Sequence, residues 1–61
     1  MAYNLQQIAA SYNRSYATTW RHIRELITRK KFKKKSPGKQ YSQRELEELE
    51  KLMDFKYKHQ P

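Results

Sequence analysis

The chain's single glycine stands beside a proline, at Pro37-Gly38, and on either side of that step the apolar residues fall at helical spacing. A Pro-Gly pair is strong turn punctuation, so it divides the sequence into a longer N-terminal helical part and a shorter C-terminal one. The apolar residues are Leu, Ile, Ala, Met and aromatics, with no valine at all, which favours helices over sheet. Sixty-one residues without cysteine make one domain, held by packing alone or with a partner chain. Disulfides and thiolate zinc sites are excluded, and the absence of thiols leans toward the cytosol. His22 and His59 stand apart, with neither a His pair at i,i+4 nor a Cys/His cluster. No metal and no cofactor is expected.

Local signals place the elements. Asn4 followed by Gln7 has the form of a capping arrangement immediately before Leu5, Ile8 and Ala9, and predicts a helix over 4–11. Asn13 tolerates the left-handed conformation and Ser15 can cap a second helix, so Asn13-Arg14 reads as a turn. Thr19, Ile23, Leu26 and Ile27 then share one face of a helix over 15–28. Beyond it, Arg29-Lys30-Lys31-Phe32-Lys33-Lys34-Lys35, Ser36-Pro37-Gly38-Lys39 and Gln40-Tyr41 suit a two-stranded hairpin over 30–41, with Phe32 and Tyr41 facing inward. The other reading of this lysine run is a solvated linker with nonspecific affinity. Ser42-Gln43-Arg44-Glu45 is a capping box in sequence form, and Leu46, Leu49, Leu52, Met53 and Tyr57 continue an apolar stripe behind it. That predicts a third helix over 42–58, whose stripe serves as core or as a dimerisation seam. Glu47 and Lys51 are spaced for an i,i+4 pair on its outer face. Residues 59–61 are expected to fray. The fold class expected is mainly α: three helices with a small β-hairpin between the second and third, in one domain over 1–58.

The net charge of +8 is unevenly spread: residues 1–40 carry ten Lys/Arg against one acid, Glu25, whereas residues 41–61 carry four bases and five acids. Such asymmetry points to a polyanion-facing half and a half that packs or self-associates. Membrane is not the expected polyanion, because no stretch approaches the ~20 apolar residues of a spanning helix and no basic-then-apolar signal pattern opens the chain. A soluble, intracellular protein is expected. Catalysis is not: there is no Gly-rich phosphate loop, and no serine or histidine has a sequence partner suggesting an activated nucleophile.

Around the first turn the sequence runs Ile8-Ala9-x-x-Tyr12-Asn13-Arg14-Ser15-x-x-Thr18-Thr19-x-Arg21-x-Ile23-x-x-Leu26. This resembles the helix-turn-helix pattern of bacterial and phage regulators, Ile-Ala-x-x-Leu-Gly-Val-Ser-x-x-Thr-Val-x-Arg-x-Ile-x-x-Leu, over residues 5–27. It departs at Tyr12, Asn13, Arg14 and Thr19, where the family has leucine, glycine, valine and valine. Arg14 must therefore bend outward or find a partner. The basic segment and the helix after it extend the resemblance to winged helix-turn-helix domains of the MerR-like and phage excisionase-like kinds, in which Tyr41 before the last helix also has a counterpart. The resemblance implies sequence-specific binding of double-stranded DNA by a transcriptional regulator or excisionase-like factor in the cytoplasm of a bacterial or phage-infected cell, acting as a monomer, a homodimer or a cooperative assembly on DNA. Since 61 residues leave no room for an effector site, one DNA-binding end of a longer chain is an expected alternative to a complete regulator.

In that arrangement the second helix enters a major groove about 12 Å wide. Arg21 is expected to read a base through its planar fork, with Tyr16 and Ala17 also at base edges. Ser15, Thr18 and Arg24, together with Lys31, Lys33, Lys34, Lys35 and Lys39, are expected on the phosphate backbone. Roughly six phosphate contacts would give a log K against log salt slope of about −5. Trp20 either meets DNA or packs against the hairpin or third helix. Two further readings compete: an RNA-binding or ribosome-associated basic protein, whose five tyrosines and Trp20 stack on unpaired bases, and an adaptor whose third helix docks on another protein.

Overall fold

A computed structural model describes residues 2–58 of the chain, so His59 and the expected fraying of 59–61 lie outside the described residues. The architecture is mainly helical, with three helices and one small two-stranded antiparallel sheet. In chain order these are β1 (Tyr3–Asn4), α1 (Leu5–Tyr12), α2 (Tyr16–Thr28), β2 (Gln40–Tyr41) and α3 (Gln43–Leu52).

Each helix starts on a side-chain cap. The Gln7 amide donates to Asn4 Oδ1 (2.8 Å) and the Asn4 amide to Gln7 Oε1 (3.0 Å), a reciprocal box that satisfies two otherwise orphan donors. Ser15 Oγ accepts from the Thr18 amide at the start of α2, and Ser42 and Glu45 repeat the box at α3. Each helix also ends alike, on a non-glycine residue at positive φ: Asn13 (60°), Lys30 (59°) and Asp54 (55°). In all three the next amide reaches back five residues, Arg14 to Ala9, Lys31 to Leu26 and Phe55 to Glu50, the Schellman pattern that satisfies a terminal carbonyl. A left-handed lysine costs roughly 1 kcal/mol that a glycine does not. Lys30→Gly is therefore expected to stabilise the domain by about 0.5–1 kcal/mol net of the added unfolded-state freedom, raising the thermal midpoint by ~2–8 °C in a circular-dichroism melt.

The stop at Asp54 corrects the expected third helix of 42–58, which ends instead at Leu52. Beyond it the chain turns back over α1. Phe55 sets its ring against Tyr12 (5.4 Å between centroids), Tyr57 packs edge-on against Tyr3 (5.0 Å), and the Lys58 amide donates to Ser11 Oγ (3.0 Å). An unbroken helix would have carried these aromatics away from the N-terminal half. Of the expected stripe, Leu46, Leu49 and Met53 are buried, whereas Leu52, at the last helical position, is 39% exposed.

The second correction concerns the hairpin. The turn forms: the Gln40 amide donates to the Pro37 carbonyl (3.2 Å) and Gly38 takes φ +58° at its first central position, where glycine is favoured. Its two arms do not pair with each other. Tyr41 pairs with Tyr3 and Gln40 with Asn4, so the sheet joins the chain's N-terminus to the segment before α3. The Leu5 amide extends this junction by donating to the Lys39 carbonyl (3.1 Å). The arm that would have completed the hairpin is held by a side chain: Glu45 Oε2 accepts from the amides of Lys35 (2.7 Å) and Ser36 (3.4 Å), and Oε1 accepts from the Ser36 hydroxyl.

Both expected inward residues of this segment, Phe32 and Tyr41, are buried in one core with Tyr3, Leu5, Ile8, Ile23, Leu46, Leu49 and Met53. Trp20 packs half-buried against that core. Thr19, fully buried, meets the requirement of an apolar slot by donating its hydroxyl to the Ser15 carbonyl (2.8 Å), which leaves its methyl to pack as a valine would.

Candidate nucleic-acid interface

α1 and α2 are separate helices joined through Asn13, Arg14 and Ser15. Arg14 takes the outward solution: it is exposed, donates to the Asn13 carbonyl (3.1 Å) and lays its guanidinium over the Tyr12 ring at 5.6 Å. The Tyr12 hydroxyl is in turn 2.9 Å from His22 Nδ1, so the substituted turn residues form a small aromatic and cationic cluster on one flank of α2.

Burial of Thr19 and Ile23 fixes which side of α2 faces out. Ala17, Arg21 and Arg24 recur at i, i+4 and i+7 on the opposite side, and all three are exposed. Tyr16, at the first position of the helix, is 40% exposed. Thr18 is half-buried and its Oγ1 accepts a hydrogen bond from Ser15 Oγ (2.9 Å). Since Ser15 Oγ also caps α2, that hydroxyl is engaged within the helix start, and Thr18 retains its own O–H as a donor. Among the described residues the ion pair is Arg29–Glu25 (2.8 Å), on exposed side chains, where such a pair contributes little. Arg21 and Arg24 thus keep their charge for an outside partner.

The lysines expected at DNA divide into four groups. Lys39 comes to α2: its Nζ lies 4.9 Å from the centre of the Tyr16 ring. Lys34 turns inward, half-buried, donating to the Ser36 carbonyl with its ammonium 4.7 Å over the Tyr41 ring. Residues 32–35 alternate in and out, so Lys33 and Lys35 are exposed whereas Phe32 and Lys34 turn inward. Lys31 lies past the opposite end of α2 from Tyr16, lining a groove of about 330 Å³ with Tyr12, His22, Glu25, Leu52 and Asp54. Of the residues expected at DNA, the fold gathers Tyr16, Ala17, Arg21, Arg24 and Lys39 around α2, and it sets Lys31 and Lys34 apart.

A buried carboxylate anchors the basic segment. The Glu45 carboxylate is 6% exposed; burial alone would push its pKa up, but the Ser36 hydroxyl and the amides of Ser42, Lys35 and Ser36 outweigh that and hold it down at about 2. It is ionised at neutral pH, and it fastens the segment before the turn to the start of α3. The Tyr41 hydroxyl is pushed up to about 12, first by burial, then by the Glu45 carboxylate and Tyr16. Ser42 and Glu45 were visible in the sequence as a cap. The hold of Glu45 on Lys35 and Ser36, ten and nine residues earlier, carries no local signal.

No family model matches this chain, and no curated protein or solved structure shows significant similarity to it. Among the described residues no helix is long and apolar enough to cross a membrane, and no group of three or more His, Cys, Asp or Glu is placed to hold a metal ion.

Proposed function

We propose that this chain is a sequence-specific double-stranded DNA-binding domain of the winged helix-turn-helix kind, similar to MerR-like and phage excisionase-like regulators. In this reading α2 is the recognition helix in the major groove. The Lys33–Lys39 segment, a loop in place of a hairpin wing, runs along the phosphate backbone or adjoining minor groove. Arg21 reads a base, with Ala17 and Tyr16 beside it, while Arg24, Thr18, Lys33 and Lys35 hold phosphates. The carrying observation is the exposed Ala17–Arg21–Arg24 stripe on a helix that begins after a short capped turn. A helix presenting two arginines with no internal acid partner suits a partner whose surface is anionic and whose groove admits one helix. The biological setting would be transcriptional regulation or site-specific recombination in a bacterium, plasmid or phage. Titrating labelled protein with duplex DNA, hairpin RNA and single-stranded RNA at one salt concentration tests the reading, which requires the duplex to bind tightest.

A further inference from the structure

Lys39 differs from the other exposed lysines in being mounted rigidly and aimed at another side chain. Its carbonyl accepts from the Leu5 amide (3.1 Å), it lies within the Pro37–Gln40 turn closed by a 3.2 Å hydrogen bond, and the next two residues pair with Asn4 and Tyr3. From that fixed base its ammonium reaches 4.9 Å over the ring of Tyr16, well inside the ~6 Å range of a cation–π contact. Tyr16 opens α2 and is 40% exposed. An exposed tyrosine samples its rotamers in solution, and ordering it on binding lowers affinity and blurs the preference for one base over another.

We propose that Lys39 is a positioning residue for Tyr16: by capping one face of the ring it presets the tyrosine across the start of α2, so that the other face and the hydroxyl meet one base pair of the site in a fixed pose. This rests on the reading of α2 as a DNA-recognition helix, and it reassigns Lys39 from phosphate contact to the selection of sequence. The chemical class selected is a base edge offering a methyl or π surface to the ring, or a donor or acceptor to its hydroxyl. Lys33 and Lys35, exposed on the segment before the turn, remain simple counter-charges.

The test begins by selecting a preferred duplex for the wild-type protein from a random library. Affinities are then compared for that duplex and for versions with single base pairs changed, at one salt concentration. Lys39→Ala and Tyr16→Leu should each lower the discrimination at the same base pair by about two- to fivefold. The double variant should be no worse than either single, because residues acting as a unit are non-additive. Lys39→Arg, which keeps charge and stacking, should restore discrimination. In the free protein the Lys39 side-chain methylene protons should carry a ring-current shift that Tyr16→Leu removes. Both positions are exposed, and unchanged thermal midpoints would show the variants folded. If the single effects multiply in the double variant, or if Lys39→Ala weakens every duplex equally and flattens the salt slope by about 0.9, the positioning role is overturned while DNA recognition stands. If selection enriches no duplex, DNA recognition itself fails and the role falls with it.

Discussion

Replacing Glu45 with alanine is expected to destabilise the domain by about 3 kcal/mol and to lower its thermal midpoint by roughly 12–24 °C. The carboxylate accepts from the Ser42, Lys35 and Ser36 amides and the Ser36 hydroxyl while almost fully buried, and removing it strands those donors. A domain of this size has on the order of 3–9 kcal/mol in total, so the loss takes a large share. Glu45→Gln keeps the shape but not the charge, and about half the effect is expected. The pH dependence comes from the depressed pKa. The folded carboxyl titrates at about 2 against an ordinary 4.5, so its contribution is fully present above ~pH 4.5 and is lost as pH falls from there through 2. Urea melts from pH 6 to pH 2 should therefore show the gap between wild type and Glu45→Gln closing over that window; a constant gap would mean that the carboxylate's charge does not matter.

Arg21→Ala is the second large effect, and it falls on binding. Loss of a bidentate base contact should cost about 1–3 kcal/mol of discrimination, roughly 5- to 150-fold at one base pair, with much less change in affinity for unrelated duplex. Lys33→Ala should behave oppositely, weakening all duplexes alike and reducing the salt slope by about 0.9. Lys33 is the comparison of choice because Lys34 is folded back over Tyr41, where its loss would disturb the core as well as the charge. Equal effects of Arg21→Ala and Lys33→Ala across sequences would remove Arg21 from base readout.

The helix starts were legible because capping is local. Asn4 with Gln7, Ser15 with Thr18 and Ser42 with Glu45 each declare themselves within four residues. The stop at Asp54 was not, since only the geometry reveals that an aspartate there takes the left-handed conformation that glycine usually marks. That hidden stop moved the end of α3 from 58 to Leu52. The turn at Pro37-Gly38 was readable, but its sheet was not: Tyr41 pairs with Tyr3 at the far end of the chain, and nothing in the alternation of residues 32–41 names a partner so distant. In the candidate interface, the outward stripe of α2 could be read from the spacing of Thr19 and Ile23. The sorting of the lysines could not, because composition gives Lys31, Lys34 and Lys39 the same charge while the fold sends them to a groove, over the Tyr41 ring and onto Tyr16.

The proposal that α2 meets a duplex is tested most directly by mapping amide and arginine side-chain shifts as duplex DNA is added to labelled protein. Tyr16, Ala17, Arg21, Arg24 and Lys39 should shift together and saturate with one affinity, and hairpin RNA of matched length should compete poorly. Shifts centred on the groove beside His22 and Leu52, or on the outer face of α3, with Arg21 unmoved, would contradict it.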